Sequence, residues 1–206
     1  MRIGQKALVL VGGLCLAVLA GCEASPWERG YEASGAASPP RGKGAPVVLR
    51  EVPWERLRAT LEELNAERIA SDIHPDEWSG QQKEAAHARL LRGLQVSADP
   101  RTVEVLGRSA FKTTWAVRPG DGELEGFARS RGATMVVWSS TYVGKADVIE
   151  KEPVTGWSTG TDRHRGPDGK WRSETSTHDS TIWVPVAVQK DEHAWMAYFL
   201  RESGRE

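Results

Sequence analysis

Apolar residues recur first at helical spacing and then at strand spacing along this 206-residue chain. In residues 53–70, Trp54, Leu57, Leu61 and Leu64 fall three or four apart and share one helical face. Pro53 suits a first helical position. "SDIHPDEW" interrupts the pattern, and Pro75 stands near the start of a second helix carrying Trp78, Ala85, Ala86, Leu90 and Leu91, which ends near Gly93. The two predict a helical hairpin. From Thr102 the period shortens to two. "TVEVLGRSAF" alternates and predicts a strand. "DGELEGFARSRG" predicts a short helix, with Asp121 at its N-cap, Leu124, Phe127 and Ala128 on one face and Gly132 closing it. "ATMVVWSSTYVGK" is the strongest strand pattern of the chain. Strand, helix, strand is a βαβ unit if the two strands are parallel, and such crossovers are right-handed.

Residues 154–182 are polar and rich in Ser and Thr around "GPDGK". Pro167-Asp168-Gly169 suits a three-residue turn with the glycine left-handed. The expectation is a long solvated β-hairpin, and the alternative is an unstructured loop. A three-residue turn makes Gly166 face Lys170, so paired residue numbers sum to about 336, a register set by the turn. Trp157 then faces Asp179 and Arg165 faces Trp171. Trp157 and Trp171 share one face, while His164 and His178 share the other. A second hairpin is expected over 181–200, where "TIWVPVAV" and "EHAWMAYFL" flank "QKDE". Pro185 cannot donate to a ladder, so its strand is an edge there or is bulged. Phe127, Val136 and Ile182 are expected in the core. The fold class that follows is α+β: an N-terminal helical hairpin (49–96) and a small β-α-β-β-β domain (97–206) with a long polar hairpin.

The first residues follow a different logic. Arg2 and Lys6 precede an uncharged stretch, Ala7 to Ala20. That is shorter than the roughly 20 residues of a spanning helix, and it fits a secretory signal. It ends at Leu19-Ala20-Gly21-Cys22, which resembles the lipobox of bacterial lipoprotein precursors. The resemblance implies cleavage between Gly21 and Cys22, acylation of Cys22 (palmitate included) and a membrane anchor. Residues 1–21 would be the signal peptide. Glu23, where an aspartate would retain a lipoprotein in the inner membrane, tilts the expectation to the outer membrane, facing the periplasm. Residues 22–48, rich in Gly, Ala, Ser and Pro, read as a flexible tether. "PWER" occurs in it at Pro26–Arg29 and again at Pro53–Arg56. Either the repeat is coincidence or Trp27 and Tyr31 touch the membrane interface.

Composition narrows the chemistry. The only cysteines are Cys15 and Cys22. One leaves with the signal and one carries lipid, so thiol catalysis, disulfides and thiolate metal sites are excluded. Loss of Arg2 and Lys6 leaves 25 basic against 28 acidic residues. That balance gives no argument for a nucleic-acid partner. No phosphate loop, dinucleotide fingerprint or H-E-x-x-H motif occurs. Glu84 and His87 lie one helical turn apart, a spacing that binds metal only as part of a larger ligand set. His164, His178 and Asp179 could approach one another on the hairpin. Ser109 follows a strand but lacks the second glycine of a nucleophile elbow. Glu123 and Glu125 are two apart and point to different sides of a helix. No cofactor or metal is expected.

"FARSRGATMVVWSS" is similar to a run in other small bacterial envelope proteins, A-x-x-x-G-A-x-x-V-V, filled here by Ala128, Gly132, Ala133, Val136 and Val137. The likeness implies a helix-to-strand packing step and carries no catalytic residue. All nine tryptophans follow Cys22, and Trp157 and Trp171 stand in a polar hairpin. They either contact an envelope protein or glycan, or hold the hairpin against the domain. The expectation is therefore a lipid-anchored, non-enzymatic binding module. The alternative is an envelope hydrolase with a site around Ser109, Asp121 and the hairpin histidines.

Overall fold

The computed structural model describes residues 24–35 and 38–204. The fold is mixed α+β, with four α-helices and one five-stranded mixed sheet. In chain order come α1 (Pro26–Arg29), β1 (Tyr31–Ala33), β2 (Val48–Glu51), α2 (Trp54–Ala70), α3 (Gly80–Gly93), β3 (Val103–Thr113), α4 (Glu123–Ser130), β4 (Met135–Arg165) and β5 (Trp171–Glu202). The sheet order is β1-β3-β5-β4-β2. β5 runs antiparallel to both β3 and β4, so β3 and β4 are parallel to each other with β5 between them. The expected strand–helix–strand unit is present, split by the last strand.

Alternation along the central strands divides the core in two. Met135 and Val137 of β4 join Tyr198 and Leu200 of β5 on one face, under Leu57 of α2 and Leu91 and Leu94 at the end of α3. Val136, Ala197 and Phe199 point to the other face, under Trp27 of α1 and Leu124, Phe127 and Ala128 of α4. Helices therefore cover both faces. Each fully buried Leu, Val or Phe side chain contributes roughly 1.5–3 kcal/mol by leaving water. The predicted helical stripe holds, since Leu57 is buried and Trp54, Leu61 and Leu64 are partly buried on α2.

Local chemistry sets the element ends. Ser79 and Gln82 form a capping box at the start of α3. The N-cap of α4 is Gly122, one residue after the expected Asp121, whose carboxylate accepts the Glu123 N–H at 3.0 Å. At the end of α4, Gly132 is left-handed (φ 79°). The Ala133 N–H reaches the Ala128 carbonyl and the Gly132 N–H reaches that of Arg129, at 2.9 and 3.0 Å. This is a Schellman closure. Ala128, Gly132, Ala133, Val136 and Val137 are all buried, so the A-x-x-x-G-A-x-x-V-V run is a packing device.

Three expectations are corrected. Residues 26–33, read as part of a loose tether, are built into the fold. Ser25 caps α1, Trp27 is 1% exposed, and β1 pairs with β3. Trp27 meets Phe111 and Trp195 edge-on, with ring centroids 5.0 and 5.8 Å away. A ring so enclosed does not reach a membrane surface. Gly107 of β3 permits this docking, because a Cβ there would come within 2.5 Å of the Tyr31 hydroxyl. Second, residues 181–200 are no hairpin. They belong to the single strand β5, and "QKDE" continues straight through it. Third, Ile182 is 58% exposed, whereas Phe127 and Val136 are buried as expected. Ile182 lies far out on β5, where no helix covers the strand.

Candidate functional site: the protruding ribbon

β4 and β5 pair from Met135↔Leu200 to Arg165↔Trp171. Near the body other strands flank them. β2 stops at Trp138 and β3 stops at His193. Among the described residues, no strand pairs with either one beyond those points. A bulge between Tyr142 and Gly144 marks the exit, with Gly144 at φ 134°. Such bulges increase local twist. Past it, 22 residue pairs run from Gly144↔Glu192 to Arg165↔Trp171. At 3.2–3.4 Å per residue that is an arm of about 70 Å.

The tip is set by its sequence. Gly169 adopts the left-handed conformation at φ 75°. The Gly166 N–H donates to the Lys170 carbonyl, and the Gly169 N–H to that of Gly166, both at 2.9 Å. Asp168 accepts the Lys170 N–H at 3.3 Å. The pairs Trp157↔Asp179, Thr159↔Thr177, Thr161↔Thr175 and Arg165↔Trp171 all form, as the three-residue turn predicts. From Lys151 to Trp183 every residue is exposed except Gly156, Gly166 and Ser176, which are partly so.

The two faces of the arm differ. Odd-numbered residues carry Ile149, Trp157, Trp171 and Trp183, with Thr155, Thr159, Thr161, Thr175, Thr177 and Thr181 among them. Trp157 is 81% and Trp171 70% exposed. The ring face is therefore open, and the tryptophans do not hold the arm against the domain. Even-numbered residues form the second face. Toward the tip it is polar, with Gly156, Ser158, Gly160, Ser176 and Ser180 beside the larger His164, His178, Asp162, Glu174 and Arg172. Toward the base it carries Val148, Val184, Val186 and Val188, and Lys190 is ion-paired to Glu150. Trp183 adds a third ring, and Ile149 an aliphatic side chain, to the odd-numbered face beyond the residues expected from sequence. Carrying the 336 register past residue 182 would have placed both on it.

The remaining candidates are placed as follows. His164 pairs with Arg172 and His178 with Ser158. The two histidines share a face but stand six residues apart along the arm, about 20 Å, so they and Asp179 do not converge. Ser109 is fully buried, and its hydroxyl donates to the Trp27 carbonyl at 2.7 Å. It pins α1 to the sheet and meets no histidine there. Asp121 serves the start of α4. His87 Nε2 lies 3.1 and 2.9 Å from the carbonyl oxygens of Pro100 and Val103, while Glu84 faces Arg101 at 3.9 Å. Glu125 pairs with Arg129 one turn on along α4. Among the described residues no group of three His, Cys, Asp or Glu side chains could hold a metal ion. Burial raises the pKa of the Tyr198 phenol, against a smaller pull from Arg108.

The lipobox residues, Gly21 and Cys22 included, lie outside the described residues. Among the described residues no helix is long and apolar enough to cross a membrane. No family model, curated protein or solved structure matches the chain.

Proposed function

We propose that this protein is a lipid-anchored envelope lipoprotein that acts without enzymatic chemistry, and that the arm is its binding surface. The observation that carries the reading is the open tryptophan face. Trp157, Trp171 and Trp183 stand on one side of a ribbon that projects away from the folded body. Exposed tryptophans are uncommon away from binding surfaces, where they dominate contact energy. The anchor rests on Leu19-Ala20-Gly21-Cys22. A thioether-linked lipid with an acylated amino terminus holds a protein at a membrane in a way that one chain alone does not. The outer membrane, periplasmic side, is the proposed location.

Two measurements test this. Trp157→Ala should leave the melting temperature within about 1 °C, because an exposed ring contributes little to packing. The same variant should weaken recovery of envelope components with the lipidated protein. Unchanged recovery with both Trp157→Ala and Trp171→Ala would remove the arm from the binding role. For the anchor, mass spectrometry should find lipid on Cys22 as the first residue, and Cys22→Ser should abolish it.

A further inference from the structure

The arm has two backbone edges as well as two faces. In an antiparallel pair, residues alternate between bonding across the pair and pointing their N–H and C=O away from it. The Gly166–Lys170 bond sets the phase, so even-numbered pairs bond within the ribbon. Odd-numbered residues then turn their backbone groups outward, along β4 on one edge and β5 on the other. Pro153 and Pro185 are both odd-numbered, so neither removes a bond inside the ribbon. Each instead removes one outward donor near the base of the arm. Beyond them, residues 155–165 and 171–183 hold no proline.

These edges are unusual. Two-stranded ribbons are marginal alone in water, and three or more strands are needed for independent stability. Soluble proteins blunt open edges with prolines, lysines and short strands. Here the outer half of the arm carries β-favouring Thr and Trp at its outward positions and no lysine in either strand. The base does carry such blunting, in Lys145, Lys151, Pro153 and Pro185. Pairing with another strand is thus obstructed below and open above.

Charge indicates the occupant. Within its outer segment β4 carries Arg163 and Arg165 on the odd-numbered face and Asp162 on the even-numbered face. The outer segment of β5 carries Asp179 on the odd-numbered face, and Arg172 with Glu174 on the even-numbered face. Two outer β4 edges would bring like charge together on both faces, two arginines from each copy on one and an aspartate from each on the other. The same edge laid antiparallel on the β5 edge of another copy brings Arg163 and Arg165 onto the face that carries Asp179. Opposite charges across a strand pair are favourable and like charges are not.

We infer that the partner of the arm is a second copy of this chain, with the outer β4 edge (155–165) of one molecule pairing antiparallel with the outer β5 edge (171–183) of the next. This inference rests on the arm being the binding surface and names what it binds. Such contacts are head-to-tail, so each added copy still offers one free edge of each kind. The assembly therefore closes into a ring or runs on as a filament. Every copy adds two strands to one growing sheet, with the tryptophans on one side and the even-numbered, mostly polar residues on the other.

The two edges can be blocked separately. Thr159→Pro removes one outward donor from β4 and Thr177→Pro one from β5. Both are odd-numbered sites, so the ladder inside the arm keeps its bonds. Sedimentation velocity of the purified full-length protein in detergent should show multimers of the wild type. Each proline variant alone should be monomeric. An equimolar mixture of the two should give dimers and nothing larger, because one intact β4 edge meets one intact β5 edge. A monomeric wild type overturns the inference. So does a Thr177→Pro variant that still dimerises alone, since that means β4 pairs with β4. If the wild type is monomeric while Trp157→Ala still loses envelope components, the binding surface stands and its occupant is a glycan or a different protein. If the wild type assembles and both proline variants assemble equally, the contact lies off the arm and the inference fails, while recovery with Trp157→Ala and Trp171→Ala decides the arm's binding role separately. Circular dichroism melting of each variant separates edge blocking from failure to fold.

Discussion

Two buried serines show how single residues hold this fold. Ser109 Oγ donates to the Trp27 carbonyl and Ser139 Oγ to the Val52 carbonyl, each at 2.7 Å. Both sit on central strands, and both fasten a segment that comes from far earlier in the chain. A buried carbonyl deprived of its donor costs about 1–3 kcal/mol. Ser109→Ala should therefore lower stability by that amount in a urea titration, through the loosening of α1 over Trp27. It should leave the arm and its contacts unchanged. The same residue invites a nucleophile reading from sequence, because a serine after a strand is a familiar catalytic placement. Position along the chain does not reveal that the hydroxyl is already committed to a carbonyl 82 residues away.

At the scale of elements, the helix-to-strand step is the best-determined joint of the fold. Gly132 has a positive φ, and a Cβ there would lie 2.6 Å from the Pro39 carbonyl oxygen. Left-handed backbone at a residue other than glycine costs about 1–3 kcal/mol, and the clash adds to it. Gly132→Ala should destabilise the whole body by more than Ser109→Ala, measured in the same titration. This joint was legible in the sequence because glycine, the alanines and the valines each have a local reason to be there. The tip of the arm was legible for the same reason, since Pro167-Asp168-Gly169 alone sets the register of 22 pairs. Other elements had no local signature. β1 and β2 are three and four residues long, too short to show a period, and only their neighbours make them strands. The "QKDE" segment looked like a turn because four polar residues interrupt two apolar runs. In an arm exposed on both sides, polar residues are as acceptable in mid-strand as in a turn. Ile182 misled in the converse way. β-branched residues mark a strand whether or not anything covers it.

The molecule as a whole consists of a packed body and an arm that owes it little. Every buried residue of the two core clusters lies outside residues 143–192. The arm joins the body at the Tyr142–Gly144 bulge and is flanked there by the ends of β2 and β3. Regions with few buried apolar contacts open locally without taking the rest with them. The arm and the body should therefore be separable in stability. Replacing residues 143–192 with a two-residue Asn-Gly turn keeps Tyr142 paired with His193 and suits a tight hairpin. The shortened protein should melt within a few degrees of the parent by calorimetry, because the sheet, both helical layers and the Trp27 cluster remain whole. It should also lose self-association and envelope contacts together. A large drop in melting temperature would mean that the ribbon buttresses the sheet, and the open tryptophan face would then need a structural explanation. Retained self-association at unchanged stability would place the contact on the body, with the helices of its two faces the next surfaces to test.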